Sequence, residues 1–194
     1  MSKKLLLVGS IALSLVFING CSQETPANEP PHINSAAGNA VTANPDSSST
    51  NQEAVNKAIE AAEAYKNKEY TVEAAGDVLS DEAIQTRNEE LKPFFTDDFY
   101  AKAVDTRYTA LPLTAVHEHK LSLQPDNLVF TLVNDKKEII ELRYNADLVL
   151  TDQEDKESSR VPVEGILTLK EVNGAWLIQG DRFDSAAFNQ LINK

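Results

Sequence analysis

The sequence predicts an α+β domain in which N-terminal helices pack on a curved, cone-like antiparallel sheet, preceded by a signal peptide and a disordered linker. Three observations carry this reading. Apolar residues recur at helical spacing between Asn51 and Val104. Beyond Leu111 the chain switches to strand-like sequence broken by short turns. The stretch from Ser22 to Thr50 has four prolines and no Leu, Phe, Tyr or Trp, so it cannot bury enough apolar surface to offset its ordering entropy.

Thr50 and Glu53 match a capping box, and Val55, Ala58, Ile59, Ala62 and Tyr65 continue at helical spacing, which predicts a helix over 51–67. A loop or extended stretch follows through Leu79. Ser80, with Asp81 and Glu82 behind it, opens a second helix whose thin apolar side is Ile84, Asn88 and Leu91, and Pro93 ends it. Thr96 caps a third helix with Phe99, Tyr100, Ala103 and Val104 as its stripe. Asp97 and Asp98 sit in its first turn, where carboxylates serve the helix dipole and need no catalytic explanation.

Five strands are predicted, over 114–124, 127–133, 138–151, 160–172 and 175–183. The third alternates clearly, with Ile140, Leu142, Tyr144, Ala146, Leu148 and Leu150 on one face. Asn173-Gly174 is a strong hairpin signal, and turns this short require antiparallel order. Asp184 or Ser185 caps a last short helix through Phe188, Leu191 and Ile192.

The amino terminus has the layout of a secretory signal: Lys3 and Lys4, then an apolar run from Leu5 to Ile18. At 1.5 Å per residue that run spans about 21 Å, short of the roughly 30 Å hydrocarbon core. It ends Ile18-Asn19-Gly20-Cys21, which resembles the bacterial lipobox. The resemblance implies a diacylglyceryl group on the Cys21 thiol and cleavage between Gly20 and Cys21. Two acyl chains suffice for stable anchoring where one does not. The domain boundaries expected are thus 1–20 for the signal peptide, 21–50 for the lipidated cysteine and linker, and 51–194 for the folded domain, displayed on the extracytoplasmic face of the membrane.

Thirty acidic residues face 18 basic ones, and Lys3 and Lys4 precede Cys21. The 16 basic residues beyond it leave a net charge of −14, which repels nucleic-acid backbones. Cys21 is the sole cysteine, so no intramolecular disulfide forms.

The order of elements resembles the nuclear transport factor 2 superfamily, whose cone-shaped fold is shared with ketosteroid isomerase. The pieces that carry the resemblance are AVNKAIEAAEAYKNKEY, LKPFFTDDFYAKAVDTR and the closing hairpin GILTLKEVNGAWLIQGDRFD. It implies a domain over 51–194 but transfers no catalytic residue, because the fold hosts enzymes, binders and passive modules alike.

The candidate pocket residues are Tyr100, His117, His119, Tyr144 and Asp181. On a strand, His117 and His119 share a face and could hold a metal if a third ligand joined them, although ordinary hydrogen bonding is the simpler reading. Asp181 is expected to face partly inward, either beside Tyr100 or Tyr144 as a general base or polar anchor, or paired with Arg143 or Arg160. Trp176 reads as core. Residues 127–133 are apolar on both faces, which suits a central strand or a sheet surface covered by a second subunit in a homodimer. No phosphate loop, Gly-x-Ser-x-Gly elbow or His-Glu-x-x-His helix occurs. No cofactor, metal or catalytic residue is therefore expected. The leading function is a non-catalytic envelope lipoprotein that binds a small ligand or a protein partner. The alternative is an isomerase-like or dehydratase-like enzyme using the cone pocket.

Overall fold

The structure, a computed structural model, describes residues 45–193. The expected signal peptide, Gly20, Cys21 and most of the expected linker lie outside the described residues. The domain is α+β. Helices α1 (Pro45–Tyr70), α2 (Asp81–Leu91), α3 (Asp97–Asp105) and α4 (Leu111–His119) lead into strands β1 (Ser122–Lys136), β2 (Ile139–Thr151), β3 (Glu157–Val172) and β4 (Ala175–Phe183), and α5 (Ser185–Ile192) closes the chain. The sheet is antiparallel throughout, in the order β1-β2-β3-β4.

Helix α1 buries Val55, Ala58, Ala62 and Tyr65, as its spacing requires. It begins at Pro45 and runs through the expected cap at Thr50. Proline is tolerated in a first helical turn, and the Glu53 carboxylate is held one turn onward, 2.7 Å from Lys57 Nζ. The other caps lie where expected: Ser80, Thr96 and Asp184 accept from the backbone N–H of Ala83, Phe99 and Ala186.

The largest departure concerns residues 114–124, expected as a strand. Residues 111–119 instead form α4, with Pro112 in its first turn and Leu113, Ala115 and Val116 buried. Lys120 (φ 57°) closes the helix by donating its N–H to the Val116 carbonyl. Four strands result, where five were expected. The expected turn at Pro125-Asp126 is absorbed into β1 as a bulge, with Asn127 at φ 51°. Proline survives there because β1 is an edge strand and not the central strand expected for 127–133.

Strand β2 buries the six alternating residues predicted for it, together with Val149 and Thr151 at its end, and β3 buries Val161, Val163, Leu167 and Leu169 beside them. The hairpin residues Asn173 (φ 53°) and Gly174 (φ 82°) both take the left-handed conformation that a two-residue turn demands. At the outer edge of β4, Phe95 bridges Ile178, and Thr96 donates its N–H to the Ile178 carbonyl at 3.0 Å. At the other edge, Val72 exchanges two backbone hydrogen bonds with Leu123 at the start of β1.

Candidate functional site

The buried face of α1 does not stop where the apolar residues do. One turn beyond Ala62 it carries Tyr65 and Lys66, then Glu69 and Tyr70, and all four are buried. Opposite them stands Asp181, aimed by an irregularity in β4. Thr168 pairs with Gly180 and Leu169 with Ile178, so Gln179 is an extra residue. Before it Trp176 and Ile178 face the core. After it the phase is reset, the Asp181 side chain is fully buried and Arg182 is exposed. A regular strand would reverse these assignments.

Glycine completes the arrangement. Tyr144 on β2, Gly165 on β3 and Phe183 on β4 lie in one cross-strand row. A Cβ on Gly165 would stand 2.5 Å from the Tyr144 hydroxyl, so its absence lets the phenol cross β3 and donate to Asp181 Oδ1 at 3.2 Å. Tyr108, from the turn before α4, enters from the helical side.

The cluster centres on Lys66 Nζ, which donates to Asp181 Oδ2 at 2.5 Å, Glu69 Oε2 at 2.6 Å and the Tyr70 hydroxyl at 2.9 Å. That is one acceptor for each ammonium proton. The rings of Tyr144, Tyr70 and Tyr65 surround the ammonium, with centroids at 4.2, 4.5 and 5.2 Å. Burial opposes the Lys66 charge, but the Asp181 and Glu69 carboxylates outweigh it and hold its pKa well above the ordinary value.

Tyr108 joins the two carboxylates of the cluster. Its hydroxyl donates to Glu69 Oε1 at 2.5 Å and to Asp181 Oδ2 at 2.6 Å, and its oxygen lies 3.1 Å from the Tyr65 hydroxyl. The one phenol proton is shared between the two carboxylate oxygens. Burial, reinforced by the charge of Asp181, raises the Glu69 pKa against the pull of Lys66. Tyr70 donates to the Tyr144 oxygen at 3.3 Å. Every side-chain nitrogen and oxygen of the cluster has a partner within hydrogen-bond distance.

The structure therefore brings Tyr144 and Asp181 together and sets the other candidates elsewhere. Tyr100 is half-buried on α3, with Lys92 Nζ 5.3 Å from its ring centroid. His117 and His119 occupy the last turn of α4, where residues two apart point about 200° away from each other, so they share no face. His119 Nε2 lies 2.5 Å from the Leu191 carbonyl of α5, and no trio of metal-ligating side chains occurs among the described residues. The partner of Asp181 is Lys66, not Arg143 or Arg160, and Arg160 instead contacts Asp126, Asp147 and Glu157. Lys66, Glu69 and Tyr108 escaped the sequence reading. The signal was present for the first two, because the series 55, 58, 62 and 65 continues to 66 and 69.

None of the described surface cavities is lined by the cluster. A cavity of about 530 Å³ lies between the end of α1, the segment after it, and α2, and includes Val72, Val78, Ala83 and Leu113. Arg87 lines it, 5% exposed, and donates from Nη2 to the Lys68 and Glu69 carbonyls at the end of α1.

No protein-family model and no curated protein matches the chain. Among solved structures it is similar to a periplasmic fragment of TraM, with 15% identity over 66% of this chain and 95% of that one, and a TM-score of 0.50. It also matches an IcmL-like type IV secretion system protein from Legionella pneumophila subsp. pneumophila str. Philadelphia 1, with 16% identity over 72% of this chain and 92% of that one, and a TM-score of 0.44. At this identity the likeness to the TraM fragment is one of fold.

Proposed function

We propose that the chain is a lipid-anchored, non-catalytic binding module on the extracytoplasmic face of the membrane: a signal peptide over 1–20, a diacylglyceryl anchor on Cys21, a solvated linker, and an α+β domain that engages a small ligand or a protein partner. The observation that carries the extracytoplasmic placement is the fold shared with a periplasmic fragment, which that fragment matches over nearly its whole length. The sequence Ile18-Asn19-Gly20-Cys21 supports the anchor. Among the described residues no helix is long and apolar enough to cross a membrane.

The saturated cluster favours binding over an isomerase-like reaction. A general base needs a lone pair within reach of substrate, whereas Asp181 is wholly buried and already receives Lys66, Tyr108 and Tyr144. The 530 Å³ cavity beside α2 is the natural place for a small ligand. Cys21→Ser tests the anchor: it should abolish incorporation of labelled fatty acid and shift the protein out of the membrane fraction. Labelling that survives the substitution sinks the lipoprotein reading.

A further inference from the structure

The two edges of the sheet are treated differently. Strand β4 is shielded at Ile178 by the segment Phe95-Thr96. The backbone of strand β1 is bridged at Leu123, by Val72, and the Ala74 N–H donates to the Ser122 hydroxyl beside that bridge. Among the described residues, no backbone–backbone hydrogen bond from outside β2 reaches the rest of it. That open edge carries the uncharged run Leu128-Val129-Phe130-Thr131-Leu132-Val133. Val129, Leu132 and Val133 are 57%, 44% and 46% exposed, three of the four exposed large apolar residues in the described domain. An edge that is long, apolar and uncharged is a template for pairing with another strand, and folded proteins ordinarily blunt it.

We propose that this edge is an interface between two copies of the chain, with β1 pairing antiparallel to β1 of the second copy about a two-fold axis through Thr131. A two-fold contact must be self-complementary, residue i meeting j while j meets i. In this register Thr131 meets its own copy, Phe130 meets Leu132, and Val129 meets Val133. Three residues further out, past the irregularities of β1 at 126–129 and 132–134, Asp126 stands opposite Lys136 at both ends. Directly opposed apolar and opposite-charge pairs stabilise an antiparallel sheet, whereas like charges oppose it. Lys136 has no ion-pair partner among the described residues, and Asp126, already 2.7 Å from Arg160 Nη1 of its own chain, takes Lys136 of the second copy as a further partner. An axis midway between Phe130 and Thr131 would instead set Asp126 against Asp135 at both ends. Charge therefore favours the axis through Thr131 over that neighbouring one.

The test uses the full chain in intact cells. Opposed residues of an antiparallel pair lie about 4.5–5.5 Å apart, within disulfide reach, so Thr131→Cys treated with copper phenanthroline should give a product of twice the chain mass on a non-reducing gel. The unchanged chain, whose only thiol is Cys21, is the control. Adding Leu132→Lys to Thr131→Cys should remove most of that product while the thermal melt of the protein stays in place. A Thr131→Cys chain that stays monomeric overturns the proposal. So does a cross-link to a different protein, which would mean that the edge receives another partner's strand.

Discussion

Lys66 on α1 and Asp181 on β4 meet at 2.5 Å with neither side chain exposed, although 115 residues separate them. Each would be a heavy liability alone, since an unpaired charge in an apolar interior costs several kcal/mol. Together with Glu69 and four tyrosines they form a fully hydrogen-bonded unit that joins the first helix to the last strand.

Removing one member should therefore cost far more than removing several. Lys66→Met is expected to destabilise the domain by about 3–5 kcal/mol, because it leaves the Asp181 charge buried without its partner. Adding Asp181→Leu should recover part of that loss. Urea unfolding of the two single variants and the double variant measures the coupling.

The raised pKa of Glu69 makes stability depend on pH with a definite sign. A carboxyl whose pKa is raised on folding binds its proton more tightly in the native state. Its contribution is thus complete below the ordinary glutamate value near 4.5 and is lost as pH rises through the higher folded value. Denaturation midpoints should fall across that window. Glu69→Gln, which keeps a donor for Tyr108 and an acceptor for Lys66, should abolish this part of the fall without a large loss of stability. A fall of unchanged size in the Glu69→Gln variant would assign this part of the pH dependence to another group.

Gly165→Ala should be costly for a single methyl group. The added carbon would meet the Tyr144 hydroxyl at 2.5 Å and the Arg182 carbonyl at 2.7 Å. Either the phenol leaves Asp181 or the backbone shifts, at about 1–3 kcal/mol. A Tyr144→Phe background should soften the effect only slightly, because the ring carbon bearing the hydroxyl would itself lie 2.6 Å away.

Arg87→Leu should loosen the end of α1. The guanidinium satisfies the Lys68 and Glu69 carbonyls, and leaving buried acceptors unmet costs about 1–3 kcal/mol each. Hydrogen exchange at the last turn of α1 should accelerate, and exchange at β2 should change least.

What was legible in the sequence was whatever a single period could reveal. The alternation of β2, the caps at Ser80, Thr96 and Asp184, and the Asn-Gly hairpin are local, and each was read in place. Helix α4 was not, because it is short and runs almost directly into β1, with only Lys120 and Leu121 between them. The inward turn of Asp181 was anticipated, yet the bulge at Gln179 that produces it has no more signature than the neighbouring Gly180. Lys66 and Glu69 were passed over because charged residues are normally excluded from a buried stripe. Their partner lies too far along the chain for periodicity to find.

The span of the Lys66–Asp181 contact also sets a timetable. Asp181 lies within the last 14 residues of the chain, so a polypeptide emerging amino end first reaches its final strand before the lysine can meet this carboxylate. Contacts between such distant residues form late. Until then Lys66 lacks the carboxylate that its burial requires.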